Sequence, residues 1–183
     1  MTKFLPLFLC FFALGSSVPN VDPWGRTKKQ PDHVGIEKEI VAFEIMYDFE
    51  ARIRGIKFKT PVTIGFSSFK MKKGKGTVVG LCTYGKNFRE IDINMQYWHK
   101  STWMTKRTLI YHEMTHCFCG RFHTWSGGEY PDAEKMPKAP LQVGLLGDGC
   151  PASIMYPIVV SDDCVAKHWD MYDSEMFDGC NPY

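Results

Sequence analysis

Residues 112–123 read HEMTHCFCGRFH and gather three of the chain's six histidines and one acid into a single short stretch. His112 and His116 are four apart, a spacing that puts both imidazoles on one face of a helix, within reach of one metal ion. Glu113 stands beside them, where its carboxylate can reach a water on that ion. Gly120 is suited to end the helix, so that the chain can turn back and offer His123 as a third ligand. HExxH on a helix supplies two ligands and a general base, the equipment of metal-assisted hydrolysis. The bland alternative is a surface helix with solvated histidines. Apolar Leu109, Ile110 and Tyr111 just ahead of the motif argue for a helix packed into a core.

Such a helix needs a scaffold, and the rest of the chain offers one. Residues 35–54 are predicted to form an amphipathic helix: Ile36, Ile40, Phe43, Tyr47 and Ala51 recur every three or four positions. Glu37, Lys38, Glu44 and Glu50 fall mostly on other faces, and Gly55 ends the helix. Three strands are expected, at 61–69, 77–84 and 89–94, rich in β-branched residues or alternating. The lysine-rich stretch 70–75 suits a solvated, hairpin-like link between the first two. Tyr97, Trp98 and Trp103 lead into the active helix, with Ser101 or Thr102 as N-cap and an end near Cys119. Residues 124–149, rich in glycine and proline, read as a long irregular loop. Glu129, Asp132 and Asp148 could bind Ca2+ there, although solvated acids are the simpler reading. Ser161 can cap a last helix to about Phe177, with Val165, Trp169, Tyr172 and Met176 on one face and His168 at the surface. The fold class expected is α+β: a small twisted mixed sheet with an N-terminal helix, an active-site helix and a C-terminal helix.

A chain of 183 residues is long enough for one domain with a real core. A formal charge of +2 without a basic block speaks against nucleic acid as a partner. Lys3, the apolar run 4–14 and the small residues at 15–17 read as a secretory signal peptide over 1–17. An extended arm follows over 18–34, and the catalytic domain spans 35–183. No other run suits a membrane span, so a secreted protein (periplasmic in a Gram-negative cell) is expected, free of the membrane after cleavage and monomeric. Cleavage leaves Cys82, Cys117, Cys119, Cys150, Cys164 and Cys180, enough for three disulfides in an oxidising compartment. Cys117 and Cys119 point in different directions and should pair with different partners, at least one bridge tying the active helix to the C-terminal part. Cysteine as a metal ligand is the rival reading.

The order of these parts resembles the metzincin metallopeptidases, matrixin-like branch. Ser153-Ile154-Met155-Tyr156-Pro157 is similar to that branch's Met-turn, and the motif to its HExxHCxxxRxH variant. The resemblance covers roughly 35–177. It implies a secreted endopeptidase in which Zn2+ is held by His112, His116 and His123, Glu113 is the general base and Met155 forms an apolar floor. It also implies that a peptide or protein substrate lies as an extra strand along the edge strand, at Val78, Val79, Gly80 and Leu81. The family's usual pattern, HExxHxxGxxH, would put glycine at 119 and histidine at 122, where this chain has Cys119 and Phe122. Two further readings remain: a zinc-stabilised binding module without turnover, and a gluzincin-like site with Glu134 or Glu175 as third ligand.

Overall fold

The computed structural model describes residues 38–67, 78–85, 88–125, 141–142 and 144–180. The leader and arm over 1–34, the lysine-rich link at 70–75, and Glu129, Asp132 and Glu134 lie outside them. The element around which the described residues pack is a helix that is buried nearly all round, here α3 (Trp103–Cys119). Every residue from Thr108 to Thr115 in it is buried, as befits a central helix and not a surface one. Its start is fixed by Thr102, whose hydroxyl accepts the amide of Thr105 at 3.1 Å. The Thr102 and Thr105 hydroxyls also donate to Asp162 at 2.6 and 2.7 Å, which ties this end to the start of α4 (Asp162–Phe177). Its end is set by Gly120, left-handed at φ 62°. Arg89 Nε donates to the Cys117 carbonyl at 2.8 Å, satisfying one of the acceptors that a helix end leaves open.

Helix α1 (Lys38–Ile53) lies against α3 through Ile40, Phe43, Tyr47 and Ala51, the expected stripe. Tyr47 is fully buried among Tyr111, Phe118, Phe58 and Phe177, and its hydroxyl meets Thr115 Oγ1 at 3.2 Å. One residue departs from expectation: Glu44, assigned to an outer face, is buried. It follows Ile40 by four and precedes Tyr47 by three, which places it on the core stripe itself.

The strands are β1 (Thr63–Ser67), β2 (Gly80–Tyr84) and β3 (Arg89–Asn94), in the order β1-β3-β2. The sheet is mixed: β1 runs parallel to β3 and β2 antiparallel to it. The expected hairpin between the first two strands is therefore absent; β2 and β3 form the hairpin instead. Burial decides the order. Ile91 and Ile93 of β3 are both wholly buried, and Ile64 and Phe66 of β1 join the same core, whereas β2 exposes Leu81, Thr83 and Tyr84. The strand with the most apolar inner face takes the centre, and β2 is left at an edge.

Three elements were not foreseen. Met95–Lys100 forms a short helix, α2, capped by Asn94 and anchored by buried Trp98. Within the stretch read as an irregular loop, β4 (Thr124–Trp125) pairs in parallel with β5 (Leu141–Gln142). Helix α4 begins at the Ser161 cap and buries Val165, Tyr172 and Met176 as anticipated, with Phe177 besides; Trp169, expected on the same face, is half-buried against Tyr111, and the helix bends at His168.

Three disulfides staple this α+β fold: Cys82–Cys117, Cys119–Cys180 and Cys150–Cys164. The first ties β2 to α3, and the second ties the end of α3 to the segment after α4. Bridges of this kind belong to an oxidising environment. Among the described residues no helix is long and apolar enough to cross a membrane.

Candidate metal centre

The last two turns of α3 and the turn after it bring His112, His116 and His123 together. Nε2 of His112 lies 3.0 Å from Nε2 of His123 and 3.0 Å from Nε2 of His116. The opposite ring nitrogens of two of them are committed to main-chain carbonyls. His112 Nδ1 donates to Ile154 O at 2.8 Å, and His116 Nδ1 to Arg121 O. A carbonyl can only accept, so in these two rings the proton sits on Nδ1 and the two Nε2 lone pairs face one another. Lone pairs this close, with no proton to share, call for a cation between them. Imidazole nitrogens about 2.0–2.1 Å from a tetrahedral ion sit roughly 3.3 Å apart, close to the spacing here. The three histidines therefore fit a metal ion.

Burial reinforces the point. All three imidazoles are pushed down to about 3, by loss of solvent first and by one another second. They are neutral at physiological pH, the form that ligates. Glu113 is moved the other way, up to about 8, because burial disfavours its charge; the backbone amide of Cys82 donates to it and offsets part of that rise. Its carboxylate lies directly against β2. A side-chain carbon placed on Gly80 would stand 2.4 Å from Glu113 Oε1, so any larger residue there must displace the Glu113 carboxylate.

The turn between α3 and His123 explains how the third histidine reaches the other two. Gly120 and His123 both stand one position later than in HExxHxxGxxH, and the interval between them is unchanged. The helix runs to Cys119, and the left-handed Gly120 turns the chain back. Beyond His123, the Thr124 amide donates to Met155 O at 2.8 Å. The segment Ser153-Ile154-Met155 thus touches the site at two points, through the Ile154 and Met155 carbonyls. Met155 itself is fully buried.

No protein-family model, curated protein or solved structure matches the chain. The site must be read from its own geometry. Cysteine ligation does not occur here, since all six cysteines of this region are bridged. Asp148, Cys150 and His168 also lie close together, but the Cys150 sulfur is spent in a disulfide, and His168 and Lys167 already hold Asp148. Glu175 is not a third ligand: it binds Arg121 and accepts from Ser153 Oγ at 3.0 Å. Val78, Val79, Gly80 and Leu81 all belong to the run into and along edge strand β2, with Val78 and Leu81 about half exposed. The β3 amide of Asn94 reaches Val79 O at 2.9 Å, so pairing begins before Gly80. Sequence reasoning missed the roles of Cys82, Gly80, Arg121, Ser153 and Glu175. The arginine in the motif's final turn was the one visible signal.

Proposed function

We propose that the chain is a zinc endopeptidase of the metzincin type, akin to the matrixin-like branch, acting in an oxidising compartment after export. What supports the reading is the convergence of three imidazoles beside a buried carboxylate that lies against an edge strand. His112, His116 and His123 would hold Zn2+, with Met155 as the apolar floor. When bound, the ion supplies Lewis acidity, polarising the scissile carbonyl and lowering the pKa of a coordinated water to about 7.

Beside that positive charge Glu113 is favoured as a carboxylate. It takes a proton from the attacking water and hands it to the leaving nitrogen as the carbon–nitrogen bond breaks. The main chain of β2, an edge strand among the described residues, supports an extended peptide by strand addition from Val78 to Leu81. Ile154 O and Arg121 O hold two of the imidazoles in the tautomer that ligates.

Glu113→Ala tests the reading. Zn2+ should still bind one to one, while hydrolysis of a quenched peptide falls by about 10²–10⁴-fold. A variant that cleaves as well as the wild type refutes the proposed base. A wild-type protein that binds Zn2+ tightly and cleaves neither casein nor a peptide library is instead a zinc-stabilised binding module.

A further inference from the structure

The carbonyls that orient His112 and His116 are themselves held, and by one side chain. Arg121, whose carbonyl receives His116 Nδ1, extends its guanidinium to Glu175 in the last turn of α4. One arm meets the Glu175 carboxylate and the other its main-chain carbonyl. The same carboxylate oxygen, Oε1, accepts from Ser153 Oγ at 3.0 Å. Ser153 is buried, and its Oγ in turn accepts the amide of Met155 at 3.0 Å. Between Ser153 and Met155 lies Ile154, whose carbonyl receives His112 Nδ1.

We infer that Glu175 is a positioning residue for the metal centre: a single carboxylate oxygen on α4 fixes, through Arg121 and Ser153, the two main-chain carbonyls that aim His116 and His112. The inference rests on the metal-holding half of the function proposed above, and not on peptide cleavage. An ordinary exposed ion pair contributes almost nothing. This one differs in three respects. Both side chains are four-fifths buried. The pair is two-pronged, which fixes direction as well as distance. The carboxylate oxygen that takes Arg121 also accepts from the buried Ser153 hydroxyl, which has no solvent to replace that bond. Partners that orient metal-ligating histidines typically contribute 10–100-fold to metal affinity.

The geometry also separates positioning from mere support. The Cys119–Cys180 bridge already ties the end of α3 to the segment beyond α4. Removing the Glu175 charge therefore loosens the aim of the two carbonyls without detaching the helix. The test uses the full oxidised chain and reads Zn2+ itself, by competition with a chromogenic chelator. The variants are Glu175→Gln, Arg121→Lys and Ser153→Ala, each compared with urea unfolding of its metal-free form. Glu175→Gln and Arg121→Lys should weaken Zn2+ binding by about 10–100-fold while the metal-free unfolding midpoint hardly moves. The visible band of the Co2+-loaded protein should shift in the same variants, which a purely structural role would not cause.

Glu175→Gln binding Zn2+ within about twofold of the wild type overturns the inference. So does an affinity loss matched by an equal loss of metal-free stability. Should Glu175→Gln fail to fold, Ser153→Ala decides the matter, since it removes two hydrogen bonds, to Glu175 and from Met155, and leaves every charge in place: unchanged affinity there also overturns the inference. Wild-type protein that binds no Zn2+ sinks the proposed function as well, whereas tight binding by wild type and variants alike sinks this inference alone.

Discussion

Gly80→Ala should disable the site without emptying it. The added carbon would stand 2.4 Å from Glu113 Oε1 and 2.8 Å from both Cδ and Cγ of the same side chain. Non-bonded atoms rest about 3.5 Å apart, so the closest pair must open by roughly 1 Å. Gly80 is not among the glycines with positive φ, so alanine brings no backbone strain, and space is the whole of the effect. The strand cannot give way easily. Gly80 pairs with Ile93, Val79 O is bonded by Asn94, and Cys82 is bridged to Cys117. The helix is core on all sides. What yields is the Glu113 side chain, which loses its place against the Cys82 amide. A displacement of about 1 Å in a reacting group costs on the order of 10²-fold, or about 2.7 kcal/mol of barrier. The three histidines are untouched, so bound zinc should stay at one per chain. Steady-state cleavage of a quenched peptide, with metal content from atomic emission, separates the two effects. A Gly80→Ala protein with full zinc and a kcat within about threefold of wild type would refute the claim that β2 seats the base.

Further outcomes follow from the same centre. Without metal, His112, His116 and His123 are held near 3 against an ordinary 6.5. The unfolded chain then binds more protons below about pH 6.5, and stability falls on acidification. Glu113 acts oppositely: held near 8 against an ordinary 4.5, it makes the folded state the better proton binder from about pH 4.5 to 8, so stability falls as pH rises through that window. Together the four groups put the urea midpoint of the metal-free protein at a maximum near pH 6.5–7; a midpoint still climbing at pH 8.5 would contradict this. His123→Ala should lose more zinc affinity than the 10–100-fold typical of an orienting partner, whereas Phe122→Ala should keep it; equal losses in chelator competition would mean that the third ligand has been misassigned. Replacing Cys82 and Cys117 together by serine opens a loop closed across 35 residues, which on chain entropy costs about 3–4 kcal/mol. Thermal unfolding should report that loss, and cleavage should fall further than stability because β2 is no longer tied to the helix that carries Glu113; a variant as active as wild type at temperatures where it is folded would break that link.

The parts of this molecule that were legible beforehand are those written in short-range patterns. The stripe of α1 from Ile40 to Ala51, the Thr102 and Ser161 caps, the Gly120 stop and the placing of His112 and His116 on one helix face each involve residues within about three turns of one another, and each is borne out, while Ile36 of that stripe lies outside the described residues. What escaped depends on contacts between distant segments. The three strands were legible, but their order was not, because sequence neighbours compete with burial and Ile91 and Ile93 won the centre for β3. Disulfide pairing was equally hidden: fifteen arrangements of six cysteines look alike until the strand order sets Cys82 beside Cys117. Glu175 was legible only as an acid on a helix, since nothing local announces that Arg121 and Ser153 converge on it. The third histidine lies between these cases. Counted from His116, it stands one residue beyond the usual interval. Counted from the glycine that ends the helix, it is in register, and the second count is the physical one. A helix that runs one residue further turns its exit by about 100° and rises about 1.5 Å, and a left-handed glycine then reverses the chain. Moving the stop and the ligand together keeps the turn's internal geometry. The 3.0 Å between the Nε2 atoms of His112 and His123 shows that the three residues between Cys119 and His123, among them Arg121 pinned to α4, bring His123 back to the helix face.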